Sequence, residues 1–259
     1  MGRGRPRLRS QEDQARRVIL RLQKYLAECG LGSRRACERM IAGGRIQVNG
    51  ETVCEQGIKV DPVQDDIRMD GRVVRRESKV VYILNKPPGV MCTNDDPQSR
   101  PLYRDLFPAD AGRLFPVGRL DCMSEGLLLV TNDGDLAHRL MHPRYGFHKT
   151  YLARTPDRVT AEQMKRMEQG VEEGGERLRA LRVRRERGAG PGTRLRIVLG
   201  EGRNRHIRRM FKALGLRIDR LKRVKLGPLV LGGLPQGSWR ELRPQELRQL
   251  QVSSHQRDA

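Results

Sequence analysis

The sequence predicts an α+β fold in two parts: a small helix–helix–hairpin domain, then a mixed, largely antiparallel sheet with flanking helices. Near the N-terminus, two helix-like runs precede two short alternating runs separated by Asn49-Gly50, a pair typical of a hairpin turn. From residue 79 onward, strand-like and helix-like runs mix without the regular order of βαβ units. This irregular mixture favours an α+β sheet in which several strands form hairpins.

The smaller part has a clear stop or cap signal at each predicted helix. Apolar residues recur at helical spacing over residues 22–29, and Gly30 follows as a stop. Ser33 can cap a second helix. The apolar side of that helix is formed by Ala36, Cys37, Met40 and Ile41. The hairpin of residues 45–53 comes next, so this part is compact and has little core of its own.

The larger part contains more strands than helices. Strands are predicted at 80–84, 126–131, 149–153, 178–183, 194–199 and 224–231. Helices are predicted at 136–141, 161–169, 206–214 and 245–250, and Thr160 with Gln163 forms a capping box before the second of these. The expected organisation is a disordered basic tail (1–17), a first domain (18–68), a linker (69–78), a second domain (79–251) and a tail (252–259).

Composition indicates a polyanionic partner. The 259 residues include 52 Lys and Arg against 31 Asp and Glu, for a net charge of +21. Such an excess favours phosphate backbones, since each neutralised phosphate releases counterions. No apolar run approaches the roughly 18 residues of a spanning helix. The first twenty residues also lack a signal peptide, so we expect a cytosolic protein.

Neither cysteine nor histidine spacing indicates a metal site. The 5 cysteines are odd in number and never stand as CxxC, so we expect neither disulfides nor structural zinc. His138 and His142 lie four residues apart without the intervening Glu of HExxH. We therefore expect no metal, and no cofactor motif is present.

Cationic side chains concentrate around the second predicted helix. Arg34, Arg35 and Arg39 project away from its apolar side, and we expect Lys24 and Arg45 nearby. Most charged helix faces are simply solvated. Three arginines within six residues of a strongly basic chain nevertheless favour RNA binding.

The order of segments around this helix resembles the S-four RNA-binding domain. The resemblance is carried by residues 21–27, 30–35 and 41–50, the last reading Ile-Ala-Gly-Gly-Arg-Ile-Gln-Val-Asn-Gly. It implies that Ser33 and the cations around it bind structured RNA. By itself it implies nothing about chemistry.

Asp121 lies on a glycine-bounded loop, Gly118-Arg-Leu-Asp, ahead of an apolar strand. Active-site residues often occupy such loops on a rigid scaffold. A lone loop aspartate is more often a turn or cap residue. The residues alone leave both interpretations open.

The stretch of residues 116–135 resembles the signature of RsuA/RluB-type pseudouridine synthases, which isomerise uridine in ribosomal RNA. Residues 85–90, 149–152, 201–211, 226–229 and 237–242 fit further segments of the family, so the resemblance covers about residues 20–250. It implies that Asp121 is the catalytic aspartate, that Tyr151 is the active-site tyrosine and that Arg208 is the basic partner of the aspartate. Ser124 and His206 stand where the family commonly has Thr and Gln or Glu.

The resemblance also implies roles for neighbouring residues. Arg119 is placed to fill the space left by an unstacked base, although a structural ion pair is an equal alternative. Lys86 and Arg205 are expected to contact RNA. Asp121 could attack the sugar carbon or remove a sugar proton to give a glycal, and the sequence leaves both routes open.

Two functions of other classes compete with this hypothesis. A non-catalytic RNA-binding or ribosome-assembly factor would use the same basic module. A glycoside hydrolase would pair Asp121 with Glu125, and Ser124 fails as a nucleophile because its surroundings lack the first glycine of GxSxG. The residues found in the motifs favour a large-subunit ribosomal RNA target over a small-subunit one. We expect the protein to be a monomer.

Overall fold

A computed structural model describes residues 19–188 and 191–255, and the chain divides into two compact units between Ser78 and Lys79. The expected basic tail, residues 1–17, lies outside the described residues. Each unit mixes helices with strands, and the predicted α+β class is confirmed.

The first unit holds two helices and short strands. In order these are β1 (Leu20–Arg21), α1 (Leu22–Glu28), α2 (Arg34–Ala42), β2 (Ile46–Val48), β3 (Glu51–Val53), β4 (Lys59–Val60), β5 (Ile67–Met69) and β6 (Arg72–Val73). The four-stranded sheet has the order β3-β2-β5-β6, with all pairs antiparallel. β1 pairs with β4.

The helix stop and the helix cap predicted for the first unit are both present in its structure. Gly30 takes a left-handed φ of 80° after α1, a conformation that costs glycine little. The Ser33 hydroxyl accepts a 3.1 Å hydrogen bond from the Ala36 amide at the start of α2. Cys37 and Ile41 are buried in a core shared by both helices and the sheet.

The segment expected to be a linker instead belongs partly to this unit. Residues 69–73 form a β5–β6 hairpin around Asp70-Gly71. The Tyr25 hydroxyl donates to the Val74 carbonyl at 3.1 Å, and Arg76 pairs with Glu28 at 2.9 Å. The sequence from Asp61 to Ser78 predicts a hairpin followed by a linker, but it does not show the contacts with α1, which join residues 49 positions apart.

The second unit contains the larger sheet. In order its elements are β7 (Val81–Lys86), β8 (Phe115–Val117), β9 (Glu125–Thr131), α3 (Gly134–Met141), β10 (Lys149–Thr155), α4 (Ala161–Gln169), β11 (Val171–Glu173), β12 (Glu176–Leu178), β13 (Arg182–Arg185), β14 (Thr193–Leu199), α5 (His206–Ala213), β15 (Arg220–Leu226), β16 (Leu229–Val230), β17 (Trp239–Glu241) and α6 (Pro244–His255). The strand order is β13-β14-β10-β15-β9-β7-β17, with β16 beside β15 and β8 beside β9.

Helix boundaries in this unit follow the predictions closely, and strand boundaries less so. The Thr160–Gln163 capping box is present at the start of α4. The strand predicted at 178–183 is two strands, since the chain leaves the β11–β12 hairpin before it joins β14 as β13. α6 continues to His255, past the predicted domain end at 251, because no glycine or proline interrupts it.

Helices cover the two faces of the sheet unequally. One face packs on α4 and α5, with Leu128, Ile197 and Phe211 in its core. The other face is covered beside β7 and β9, where Leu127 and Leu129 pack with residues of α3 and α6. The remaining part of this second face, over β15, β10, β14 and β13, presents mostly exposed or half-exposed side chains.

A short parallel seam joins the two halves of the sheet. β9 and β15 share two register pairs, Lys222 with Glu125 and Arg223 with Gly126, whereas the other pairs in this sheet are antiparallel. Gly126 has a φ of 99°, and a Cβ there would collide with the Arg223 carbonyl oxygen. Glycine is therefore required where the two strands approach so closely.

Candidate active site

A cleft of about 540 Å³ opens in the second unit, on the sheet face that packs on α5. The loop between β8 and β9 forms one wall, and the segment joining β14 to α5 forms another. Polar and charged side chains in its lining include Arg119, Asp121, Ser124, Lys149, Tyr151, Glu201, Arg203, Arg205, His206 and Arg223. Asp121 and Tyr151, predicted from separate segments, thus share one cavity.

Backbone contacts fix the Asp121 loop. Gly118 supplies a left-handed turn with a φ of 72° as the chain leaves β8. The Ser124 amide donates to the Asp121 carbonyl at 2.9 Å and closes a tight turn. The Gly89 amide donates to the Cys122 carbonyl at 2.9 Å, which ties this turn to the segment after β7.

Lys86 is a correction to the predicted RNA-binding set. Its side chain is fully buried, and its Nζ donates to the carbonyls of Pro87, Val90 and Cys122 at 2.8, 2.7 and 3.1 Å. Burial lowers its pKa from the ordinary value. An ammonium used in this way cannot reach a phosphate, so Lys86 anchors the Asp121 loop.

Arg208 forms an ion pair with Asp121, a residue from a distant part of the sequence. Its Nε lies 3.7 Å from a carboxylate oxygen of Asp121. Its Nη2 donates to the Met123 carbonyl at 3.2 Å and approaches the Ser124 hydroxyl at 3.5 Å. Burial lowers the pKa of this guanidinium. Arg208 does not itself line the cleft; it contacts the aspartate from the first turns of α5.

Arg223 is a cleft residue that the sequence analysis did not single out. It faces Tyr151 directly across β10 and β15, which places the two side chains on one face of the sheet. Its Nε donates to the Leu127 carbonyl at 2.7 Å, and its buried Nη2 finds no acceptor among the described residues. A buried guanidinium arm without a partner is costly. The sequence gave no local signal for its burial, because β15 carries four cations in seven residues and nothing marks Arg223 as the buried one.

Further cations lie around the cleft. Arg119 is exposed and forms no ion pair within residues 19–188 and 191–255. Arg205 is the residue before α5 rather than part of it, with an uncommon left-handed φ of 47°. Burial is the main cause that lowers the pKa of Lys149, and the nearby Arg223 adds to the effect.

Glu125 and His206 are both buried, and of the two His206 lines the cleft. Glu125 is buried and is bound by Arg220 and by Gln236, away from the cleft lining. The pair of Asp121 with Glu125, which a glycoside hydrolase would have used, therefore does not line the described cleft. His206 is buried at the start of α5, and burial lowers its pKa.

The predicted RNA-binding residues of the first unit differ in availability. Arg34, Arg35 and Arg39 are exposed on α2, whose other side is buried. Lys24 lies 3.8 Å from Glu28, and Arg45 pairs with Asp70 at 2.5 Å. The Ser33 hydroxyl is engaged in capping α2.

The described part of the chain contains neither a membrane-spanning helix nor a cluster of metal ligands. No helix there is long and apolar enough to cross a membrane. No group of His, Cys, Asp and Glu there could hold a metal ion.

Comparison with known proteins gives consistent matches over both units. A family model described as RNA pseudouridylate synthase matches residues 80–213, and an S4 domain model matches residues 20–67. An uncharacterised RNA pseudouridine synthase of Aquifex aeolicus is 42% identical over 89% of this chain and 93% of its own length. Ribosomal large subunit pseudouridine synthase B of Bacillus subtilis is 38% identical over 92% of this chain and 99% of its own.

A solved structure agrees with these sequence matches. A crystal structure described as a pseudouridylate synthase superposes with a TM-score of 0.63 at 31% identity, covering 89% of this chain and 99% of that one.

Proposed function

The chain belongs to the RNA pseudouridylate synthase family and carries an S4 domain ahead of the catalytic unit; on that basis, we propose that it converts a specific uridine of large-subunit ribosomal RNA to pseudouridine. The Bacillus subtilis relative and a 43% identical Pseudomonas aeruginosa relative are both named ribosomal large subunit pseudouridine synthase B. This shared name supports the choice of substrate.

One observation carries the catalytic assignment: Asp121 lines the same cleft as Tyr151 and lies 3.7 Å from the Arg208 guanidinium. The reaction breaks the C1′–N1 bond, rotates the uracil and joins C1′ to C5. A proton leaves C5 and N1 regains its hydrogen, so no atom is gained or lost overall. We propose Asp121 as the carboxylate that acts at the sugar, either on its carbon or on one of its protons. Arg208 pairs with this carboxylate and orients it.

Other cleft residues can hold the displaced base. An enzyme that acts on a base in structured RNA must take it out of the stack, at a cost of a few kcal/mol. We propose that exposed Arg119 occupies the vacated space and that the Tyr151 ring packs against the freed uracil. The unpartnered Nη2 of Arg223 would donate to an acceptor oxygen of the target nucleotide, which would offset the cost of its burial.

RNA recognition would begin on the first unit, where Arg34, Arg35 and Arg39 are exposed on α2. Their charge suits a phosphate backbone, whereas the target itself would be selected by RNA shape. A ribosomal RNA substrate would place the protein in the cytoplasm, and we propose that it acts there as a monomer. Small-subunit ribosomal RNA is the second candidate substrate.

Tritium release tests this proposal. Large-subunit and small-subunit ribosomal RNA labelled with tritium at uridine C5 are incubated with the wild type and with Asp121→Asn. We expect release from the large-subunit RNA alone, and a loss of about 10⁴-fold or more in the variant. RNA binding should persist in the variant, because the substitution removes one negative charge. Release by Asp121→Asn at the wild-type rate would refute the catalytic assignment, and release from small-subunit RNA alone would refute the substrate.

A further inference from the structure

The bare part of the second sheet face, over β15, β10, β14 and β13, carries an array of cations. Strand register places seven of them on this face, namely Arg154, Arg182, Arg184, Arg194, Arg196, Arg220 and Lys222. They alternate with buried residues such as Ala153, Leu195, Ile197 and Leu221, which point to the core. This array, the arginine face, lies on one side of the sheet, and Tyr151 lies on the other.

Cations oppose one another across neighbouring strands of the arginine face. Arg154 stands directly opposite Arg194 on one side and Arg220 on the other, and Arg184 stands opposite Arg196. Like charges directly opposite in a sheet are destabilising. The fold alone therefore gives no reason for this arrangement, whereas a polyanion lying across the strands does.

Carboxylates neutralise only part of the arginine face. Arg154 lies 3.7 Å from Asp219, Arg196 lies 2.5 Å from Glu186, and Arg220 pairs with Glu125. Arg182, Arg184 and Lys222 have no ion pair within the described residues. Arg182 and Arg184 are exposed on the edge strand β13, and Lys222 is half-exposed.

We propose that the arginine face binds the phosphate backbone of RNA flanking the target uridine. This inference rests on the proposed function in one respect, since it takes ribosomal RNA as the polyanion that binds. The arginine face lies on the opposite side of the sheet from Tyr151, and β13 is the sheet edge that carries its exposed arginines. In this proposal the bound RNA passes around that edge to reach both sides. This surface would be separate from the exposed arginines of α2, and it would recognise charge rather than sequence.

The test uses the full chain with three neutralised cations, Arg182→Gln, Arg184→Gln and Lys222→Gln. The matched control is Arg158→Gln, Lys165→Gln and Arg166→Gln, which removes the same charge from exposed positions at and before α4. Affinity for a long large-subunit ribosomal RNA fragment is measured over a series of salt concentrations. We expect the arginine-face variant to bind about tenfold more weakly than the control, with a log–log salt slope lower by about 2 to 3.

Two further readouts separate RNA binding by the arginine face from a purely structural role of its cations. The difference between the two variants should narrow as the RNA is shortened towards the target nucleotide, because short RNA cannot pass around the sheet edge. The melting temperature of the arginine-face variant should stay the same or rise, because repulsion across the strands is relieved. A lower melting temperature would mean that these cations stabilise the fold, and would overturn the proposal.

Equal affinities and slopes for the two variants on long RNA would also overturn it. Tritium release by the wild type on the same RNA tells the two failures apart. If the wild type is active but the variants bind alike, the arginine face alone is refuted. If the wild type releases no tritium, the proposed function fails, whatever the binding data show.

Discussion

The α2 surface of the first unit and the buried cations of the second unit show two opposite uses of positive charge. On α2 of the first unit, Arg34, Arg35 and Arg39 extend into solvent, where their side chains can adapt to a partner. In the second unit, Lys86 and Arg223 are buried, and backbone carbonyls hold them in place. Exposed cations suit the binding of a variable backbone, whereas buried cations suit the alignment of a small reacting group.

Both groups of side chains are positively charged, so charge does not distinguish them. Their burial does: exposed cations can bind the RNA backbone, whereas buried cations can align a reacting group. An exposed pair is screened by salt and contributes little to stability. A buried cation cannot exchange its partners for water, so its removal leaves unsatisfied groups behind. Substitutions of the two kinds should consequently affect different measurements.

Lys86→Met should have the largest effect. It leaves the buried carbonyls after β7 without their donor, so we expect the free energy of unfolding to fall by about 3 kcal/mol. Chemical denaturation measures this, and Lys165→Met serves as a control on an exposed lysine, with an expected change within about 0.5 kcal/mol. Equal stabilities of the two variants would remove the anchoring role of Lys86.

Arg223→Met and Arg223→Lys probe the second buried cation. Loss of a charge-assisted hydrogen bond to substrate should lower kcat by about 10- to 100-fold in both variants. The lysine can still donate to the Leu127 carbonyl and should recover much of the stability lost in the methionine variant. Recovery of stability without recovery of kcat is the expected result. If Arg223→Lys regains wild-type kcat, Arg223 is only structural.

Arg34→Gln combined with Arg35→Gln should have the smallest effect and a different signature. We expect RNA affinity to fall by about three- to tenfold and the salt slope to fall by about 2, while kcat at saturating RNA is kept. Arg72→Gln with Arg75→Gln removes the same charge from the first unit away from α2. The comparison between the units breaks down if this control loses as much affinity, or if the α2 variant loses kcat.

Local signals made much of the fold predictable. Helix ends followed from caps and stops, as at Ser33, Thr160 and Gly30, because each involves residues only a few positions apart. Strand partners did not follow, since the parallel β9–β15 pair joins residues almost a hundred positions apart. β8 was missed for a different reason: its run of three residues, one of them a proline, is too short to show a strand pattern before it pairs with β9.

The site could be predicted only as far as a sequence motif identifies individual residues. Asp121 and Tyr151 line one cleft, and Arg208 contacts the aspartate. The sequence did not show how deeply each side chain is buried or which groups it contacts. The sequence could not show that Lys86 is buried, because its three acceptors come from two separate loops. It also could not show that one guanidinium nitrogen of Arg223 lacks an acceptor.

The parallel seam has a mechanical consequence. Asp121 enters the cleft from the loop leading into β9, whereas Tyr151 and Arg223 enter from the antiparallel block on the other side of the seam. Two register pairs join the backbones of these blocks, and Gly126 allows their closest approach. Side-chain bonds from Arg220 to Glu125 and from Arg223 to the Leu127 carbonyl cross the same line. A slide along this line would break these side-chain bonds, so they hold the proposed reactive carboxylate in one position relative to the groups proposed to hold the base. A side chain at position 126 would push the two strands apart, because its Cβ would collide with the Arg223 carbonyl oxygen, and it would thereby shift Asp121 relative to Tyr151.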